Sequence, residues 1–323
     1  MQHASPPRAA IAALLLASVL LPAVAGAQQP PYLGQWGTYG SGPGQFSTPV
    51  AVAEGPDGTV YVADTNLRRV QRFTHKGEYS AQWIASGGAD FDYPSGIAVA
   101  ANGDVYVLDS PRIRKFTSDG APLMQWGTFG TGPGQIEGAY SIALDLSGNI
   151  YVAESANNRV QKFTGDGVYL GMWGSLGPGP GQFHSPQGVA VDLFGNVYVM
   201  DTWNWRVQRF TTDGAYLGEW HLDTPGYWVR IAVDARGYVY CDDNDRSQIS
   251  VFTGTGTPRA QWGSVGTGPG QFNNPIGVGM SYWSSPDHRI YVCDTNNSRI
   301  QVFGDGLVPT HSTSWGRIKT LFR

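Results

Sequence analysis

The sequence predicts an all-β protein built as a six-bladed β-propeller of four-stranded antiparallel blades. Three observations lead there: a strand motif that returns six times at a nearly constant interval, a glycine-rich connector that returns four times, and incomplete strand sets at the two ends of the repeated region that complete one another. Composition sets the class. Among 323 residues 44 are glycine, 14% are charged and 12% are aromatic, a balance too apolar for disorder and too rich in glycine and aromatic residues for a helical protein.

The strand motif is a Tyr-Val core closing on an acidic residue: "VYVAD" (60–64), "VYVLD" (105–109), "IYVAE" (150–154), "VYVMD" (197–201), "VYCDD" (239–243) and "IYVCD" (290–294). Tyrosine-to-tyrosine spacings of 45, 45, 47, 42 and 51 leave room for four short strands per unit. In the fourth unit these read as 188–192, 196–200, 206–210 and 215–220, separated by turn steps such as Gly195-Asn196 and Asp213-Gly214. A four-stranded unit of this length repeated in tandem is a propeller blade. The strand-end acids Asp64, Asp109, Glu154, Asp201, Asp243 and Asp294, with Arg69, Arg112, Arg159, Arg206 and Arg299, recur with the blade and read as ion pairs inside each unit. Glu54, Asp145, Asp192 and Asp234 close the inner strands ahead of turn glycines and read as turn residues.

The connector "WGTYGSGPGQF" (36–46) invites comparison with a phosphate-cradling loop. It recurs from Trp126, Trp173 and Trp262, and none of the copies has the Lys-Ser/Thr ending or the strand-to-helix setting that phosphate binding needs. Its role is to carry the chain from the outer strand of one blade to the inner strand of the next. Glycine permits positive φ, Pro43 stiffens the turn and Phe46 anchors it by burial. The repeated region opens on a lone fourth strand, "YLGQW" (32–36), and its last unit stops after a third, "RIQVF" (299–303). Joined, the two complete the sixth blade and leave no open sheet edge.

Residues 1–27 carry one positive charge at Arg8, an apolar run broken by Pro22, and small residues at Ala25 and Ala27 ahead of Gln28: a secretory signal peptide. The propeller is expected over 28–303, exported to the periplasm or the medium, with a bacterial source suggested by the signal and the lack of companion domains. No later run is long and apolar enough to span a bilayer. In that compartment a disulfide could persist, but Cys241 and Cys293 stand in corresponding strands one pleat position apart and read as two buried apolar thiols. From Gln28 onward 20 basic residues face 25 acidic ones, which argues against a nucleic-acid partner. Residues 304–323 belong to no repeat. A Pro309–Ser314 linker leads into "WGRIKTLFR", whose cations and apolar residues read as an envelope-attachment element.

The stretch "PQGVAVDLFGNVYVMDTWNWRVQRFTTDGAYLGEW" (186–220) resembles an NHL repeat, and the resemblance runs from about 32 to 303. It implies a propeller but not one function, since NHL propellers include RNA- and protein-binding modules, receptor sensor domains and the lyase half of peptide-amidating enzymes. The lyase histidines follow the residue that opens an inner strand. The positions resembling theirs are Val50, Ser95, Tyr140, Gln187, Val229 and Ile276, none of them histidine. His75, His184, His221, His288 and His311 have no spacing suited to a zinc triad.

No catalytic or metal-binding residue is assigned, and no cofactor is expected, calcium among the inner-strand carboxylates being the alternative. Candidate binding residues lie where a blade departs from its siblings. The fourth blade's "TWNW" places Trp203 and Trp205 on a loop. The fifth blade's connector "HLDTPGYWVR" introduces Tyr227, Trp228 and Arg230, and the second's "ASGGADFDYP" introduces Asp90, Asp92 and Tyr93. Both loop types emerge on one rim, with Tyr140, Gln187 and His184 beside them. Aromatic anchors among polar groups suit a protein, peptide or glycan ligand taken by a monomeric scaffold. The competing class is an extracytoplasmic metal-dependent hydrolase or lyase, lactonase-like or amidating-lyase-like, with its site in the central channel.

Overall fold

The computed structural model describes residues 29–84, 90–222, 227–281 and 288–304. Twenty-four strands among them form six four-stranded antiparallel sheets. After β1 (Tyr32–Trp36), blade 1 comprises β2 (Pro49–Glu54), β3 (Val60–Asp64), β4 (Arg69–Phe73) and β5 (Tyr79–Trp83). Blade 2 comprises β6 (Pro94–Val99), β7 (Val105–Asp109), β8 (Arg112–Phe116) and β9 (Pro122–Trp126). Blade 3 comprises β10 (Ala139–Leu144), β11 (Ile150–Glu154), β12 (Arg159–Phe163) and β13 (Tyr169–Trp173). Blade 4 comprises β14 (Pro186–Val191), β15 (Asn196–Asp201), β16 (Arg206–Thr211) and β17 (Tyr216–His221). Blade 5 comprises β18 (Trp228–Val233), β19 (Val239–Asp243), β20 (Gln248–Phe252) and β21 (Pro258–Trp262). Blade 6 comprises β22 (Pro275–Met280), β23 (Ile290–Asp294) and β24 (Arg299–Phe303), and β1 supplies its outer strand, pairing Tyr32 with Phe303 and Trp36 with Ile300. The ring closes as the sequence expects.

The fourth blade's inner strand starts two residues earlier than the sequence pattern indicates, at Pro186, and in every blade the opening residue (Pro49, Pro94, Ala139, Pro186, Trp228 and Pro275) pairs with the acid ending the next strand. Between that pair and the rest of the ladder the inner strand holds one extra residue. A bulge there re-aims side chains, and repeated six times it sets the shape of the channel mouth.

The core lies between blades. Trp36 of blade 6 packs against Phe73 of blade 1 at 5.6 Å and against Tyr291 of its own blade at 6.1 Å. It also explains a glycine: Gly77, at φ +84°, lies under the indole, where a Cβ would fall 2.7 Å from ring atoms. The same stacking recurs for Trp83 on Gly120, Trp126 on Gly167, Trp173 on Gly214 and Trp220 on Gly256. Truncating one such tryptophan would cost about 3–5 kcal/mol. Cys241 and Cys293 are free and buried in different clusters, the first at the blade 4–5 interface and the second at the blade 6–1 interface.

The recurring acid and arginine do more than pair. Arg69 meets Asp64 at 3.4 Å and donates to the carbonyls of Ser41 and Gln45, while Asp64 accepts the N–H groups of Ser47 and Thr48, so the connector is tied down by the blade it enters. Asp201–Arg206 and Asp294–Arg299 repeat the pair at 2.8 and 2.7 Å. Blade 2 differs: Arg112 turns to Asp92, and Arg114 takes its place on Asp109 at 2.9 Å. Among the described residues no helix is long and apolar enough to cross a membrane.

Candidate functional site at the connector end of the channel

The channel has two ends. At one, the connectors arrive and the loops between second and third strands emerge; at the other lie the hairpin turns between first and second strands. Trp203 N–H donates to His184 O at 3.1 Å, which places blade 4's loop beside the connector entering the same blade.

The connector end is organised by a break in the repeat. Directly after the bulged residue of the inner strand, five blades carry a small residue: Ala51, Gly96, Ser141, Gly188 and Gly277. In blade 5 that place is taken by Arg230, 7% exposed. Its side chain crosses the channel, with Nη2 donating to Ser95 O at 2.7 Å and Nη1 to Tyr140 O and, at 3.5 Å, to Gln187 O. One guanidinium thus joins the inner strands of blades 2, 3, 4 and 5. The neighbouring position on β19 breaks the pattern too: Asp242 stands where siblings have Ala63, Leu108, Ala153, Met200 and Cys293. The buried Asp242 carboxylate accepts the N–H of Arg230 at 2.7 Å and of Gly277 at 2.9 Å. Burial pulls the guanidinium below its ordinary pKa, and the Asp242 charge opposes that fall.

Above this cap lie the aromatic and amide groups. Gln187, buried, donates through Nε2 to Tyr227 Oη at 3.1 Å, and Tyr227 is exposed on its other side. Asn244 N–H donates to Tyr227 O at 3.2 Å. The Asn244 side chain is 7% exposed, and neither its Oδ1 nor its Nδ2 has a hydrogen-bond partner among the described residues; the same holds for Arg230 Nε. Toward the rim, Trp203 is 53% exposed with its ring 6.1 Å from that of His184. Trp205, 41% exposed, adopts φ 50°, ψ 48°. Arg68, Asn158, Ser247 and Ser298 hold the same left-handed conformation in sibling loops, and a tryptophan there costs more than asparagine does.

Residues 91–114 and 272–303 match the family model for the NHL repeat. The chain thus carries NHL-repeat sequence in blades 2 and 6 of a six-bladed propeller. Over 126 residues it is 30% identical to Protein brain tumor of Drosophila melanogaster, a match covering 37% of this chain and 12% of that protein. By structure it is similar to a gluconolactonase from Xanthomonas campestris (17% identity, TM-score 0.61, 81% of this chain and 87% of that one). It is also similar to a chain of a nidogen/laminin complex (17% identity, TM-score 0.54, 67% and 80%). At these identities the likeness is one of fold.

In this propeller the residues singled out by departure from the repeat fall into two groups. Tyr140, Gln187, Tyr227 and Arg230 meet at the channel mouth, and Tyr93, half-exposed, is held near them by the bond from its N–H to Asp109 at 2.7 Å. Trp203, Trp205 and His184 form a separate patch on the blade 4 rim. The backbone of Trp228 pairs with Asp243, and its side chain lies outside the described residues, as do the signal peptide and residues 305–323. Arg230 and Gln187 are the candidates placed in the interior. Asp242 and Asn244 were not legible as site residues.

At the hairpin end blades 3 and 4 are alike, while Glu54 of blade 1 reaches the Tyr291 hydroxyl of blade 6 and Asp234 of blade 5 pairs with Arg236. Asp145 Oδ1 accepts the N–H of Ser147 and Asn149, and its Oδ2 accepts Asn149 Nδ2 and Tyr151 Oη. Asp192 repeats all four bonds with Phe194, Asn196 and Tyr198. These carboxylates close turns, as the pattern indicates. Among the described residues no three His, Cys, Asp or Glu side chains stand close enough together to hold a metal ion.

Proposed function

We propose that the protein is an exported binding module that takes an extended peptide segment of a protein partner on the connector end of its channel. The observation that carries this reading is the pairing of exposed aromatics with buried polar atoms that have no hydrogen-bond partner among the described residues: Trp203, Trp205 and Tyr227 are exposed, and the Asn244 carboxamide and Arg230 Nε are buried. Aromatic rings bury area at low entropic cost, and a carboxamide offering one donor and one acceptor matches a peptide unit. Ligand binding that satisfies a buried polar group recovers what its isolation costs. Export rests on the signal-like residues 1–27, and retention at the envelope on the basic, apolar 315–323 segment.

The test is selection of linear peptides from a displayed random library against the whole protein. Selected peptides are expected to bind a Trp203→Ala/Asn244→Leu variant at least tenfold more weakly, the loss typical of an interface anchor, at an unchanged unfolding midpoint. Equal binding to that variant, or a library yielding no binder, would remove the reading.

A further inference from the structure

Beyond the connector end, the hairpin end of the channel holds a cavity of about 590 Å³. It is a separate space. The residue after each bulge pair, Val52, Ile97, Ile142, Val189, Ile231 and Val278, lines it, one from every inner strand. Arg230 precedes Ile231 in the chain and spans the channel one layer above, closing the well toward the connector end. A cavity of this size, apolar in its depth and open at one side, has the dimensions of a small-molecule site.

Its mouth carries charge of one sign. The described residues around the cavity include Glu54, Asp145, Asp166 and Asp192, and no lysine, arginine or histidine. Asp166 is matched from outside by Lys115 at 3.2 Å, and Glu54 accepts the Tyr291 hydroxyl at 2.6 Å. Asp145 and Asp192 differ, because among the described residues they accept hydrogen bonds from backbone N–H groups, asparagine amides and tyrosine hydroxyls, all neutral. Four such bonds hold each carboxylate in place without bringing a cation onto it. The lips are apolar: Leu146, exposed at the turn tip of blade 3, and Leu193 of blade 4 border the cavity beside these two acids.

From an apolar well under two carboxylates that have no direct ion-pair partner among the described residues, we infer that the hairpin end is a second binding site, for a small apolar molecule carrying a protonated amine. The hydrocarbon body fills the well, removing apolar area from water, and the ammonium group lies at the mouth against Asp145 and Asp192. An anion of the same shape meets two fixed negative charges instead. The inference is independent of the peptide reading.

The experiment is calorimetry on the full chain with a matched pair of probes, 4-phenylbutylamine and 4-phenylbutyrate. The amine is expected to bind at least about tenfold more tightly than the carboxylate, a ratio two partly solvated charges can supply. Leu146→Lys, at an exposed tip that places no burden on folding, should weaken the amine about tenfold by putting a like charge at the mouth. Trp203→Ala at the other end should leave amine binding unchanged. Equal affinity for the two probes, no binding of either, or amine binding unaffected by Leu146→Lys and lost with Trp203→Ala would each overturn the assignment.

Discussion

The two ends of the channel are built from the same six strands and differ in how closely they obey the repeat. At the hairpin end, blades 3 and 4 make the same four bonds to the same aspartate. At the connector end, blade 5 replaces a small residue by Arg230 and an apolar one by Asp242, and blade 4 puts a tryptophan where its siblings have arginine, asparagine or serine. Rules of folding repeat because every blade needs them. What appears in one blade only is a change the fold did not require.

The largest test falls on the hairpin end. Burial first, and then the carboxylates of Asp57, Asp145, Asp192 and Glu54, raise the hydroxyl pKa values of Tyr61 (to about 12), Tyr151, Tyr198 and Tyr291. Unfolded tyrosine ionises near pH 10. A folded pKa above the unfolded one gives stability that is intact below pH 10 and lost as pH climbs toward 12 and beyond. Unfolding in that window should therefore be abrupt, with tyrosinate absorbance rising together with the loss of near-ultraviolet dichroism. Gradual tyrosinate formation in a still-folded protein would break this half of the comparison.

A smaller effect sharpens the irregular end. Arg230→Ser should cost about 3–5 kcal/mol, because it leaves the Asp242 charge buried without its counter-charge. Adding Asp242→Ala recreates the Ser141 and Ala153 pair of blade 3 and should recover more than half of that loss, read from urea unfolding midpoints. If the double variant were no better than the single, the two residues would not act as a pair.

How much of this was legible follows from the same contrast. Tyr61 and its five counterparts, the connector glycines and the split sixth blade are visible because each is repeated or completes a repeat. Tyr227 and Arg230 are visible as exceptions, but the depth of Arg230 is not, since its reach to Ser95 O spans 135 positions of sequence. Asp242 carried a signal that was available: two charged exceptions on adjoining strands, opposite one another. Asn244 carried none, because asparagine is ordinary in such loops, as Asn157 and Asn297 show. The hairpin-end well escaped notice for the opposite reason. Val52, Ile97, Ile142, Val189, Ile231 and Val278 are apolar in every blade and look like packing.

The smallest effect is the most pointed. Trp205→Asn should raise stability by about 1 kcal/mol, because asparagine adopts the left-handed conformation at lower cost. It should at the same time weaken the binding of selected peptides. A fall in melting temperature would show that the indole is a packing element, and would return the blade 4 rim to the ordinary rules of the ring.

The pairing of β1 with β24 has a kinetic side. Tyr32 and Phe303 are partners across 271 positions, so the last ladder cannot form until nearly the whole repeated region exists and has curled round. Each of the other five sheets is assembled from consecutive strands and needs only local contacts. Closing a long loop carries an entropic cost before its contacts return anything, and such contacts form late. Until then β1 is a waiting strand and β24 an open template, and the ring is a horseshoe. The slowest step in folding should be this meeting of the two ends, and the first seam to open under stress should be the same one.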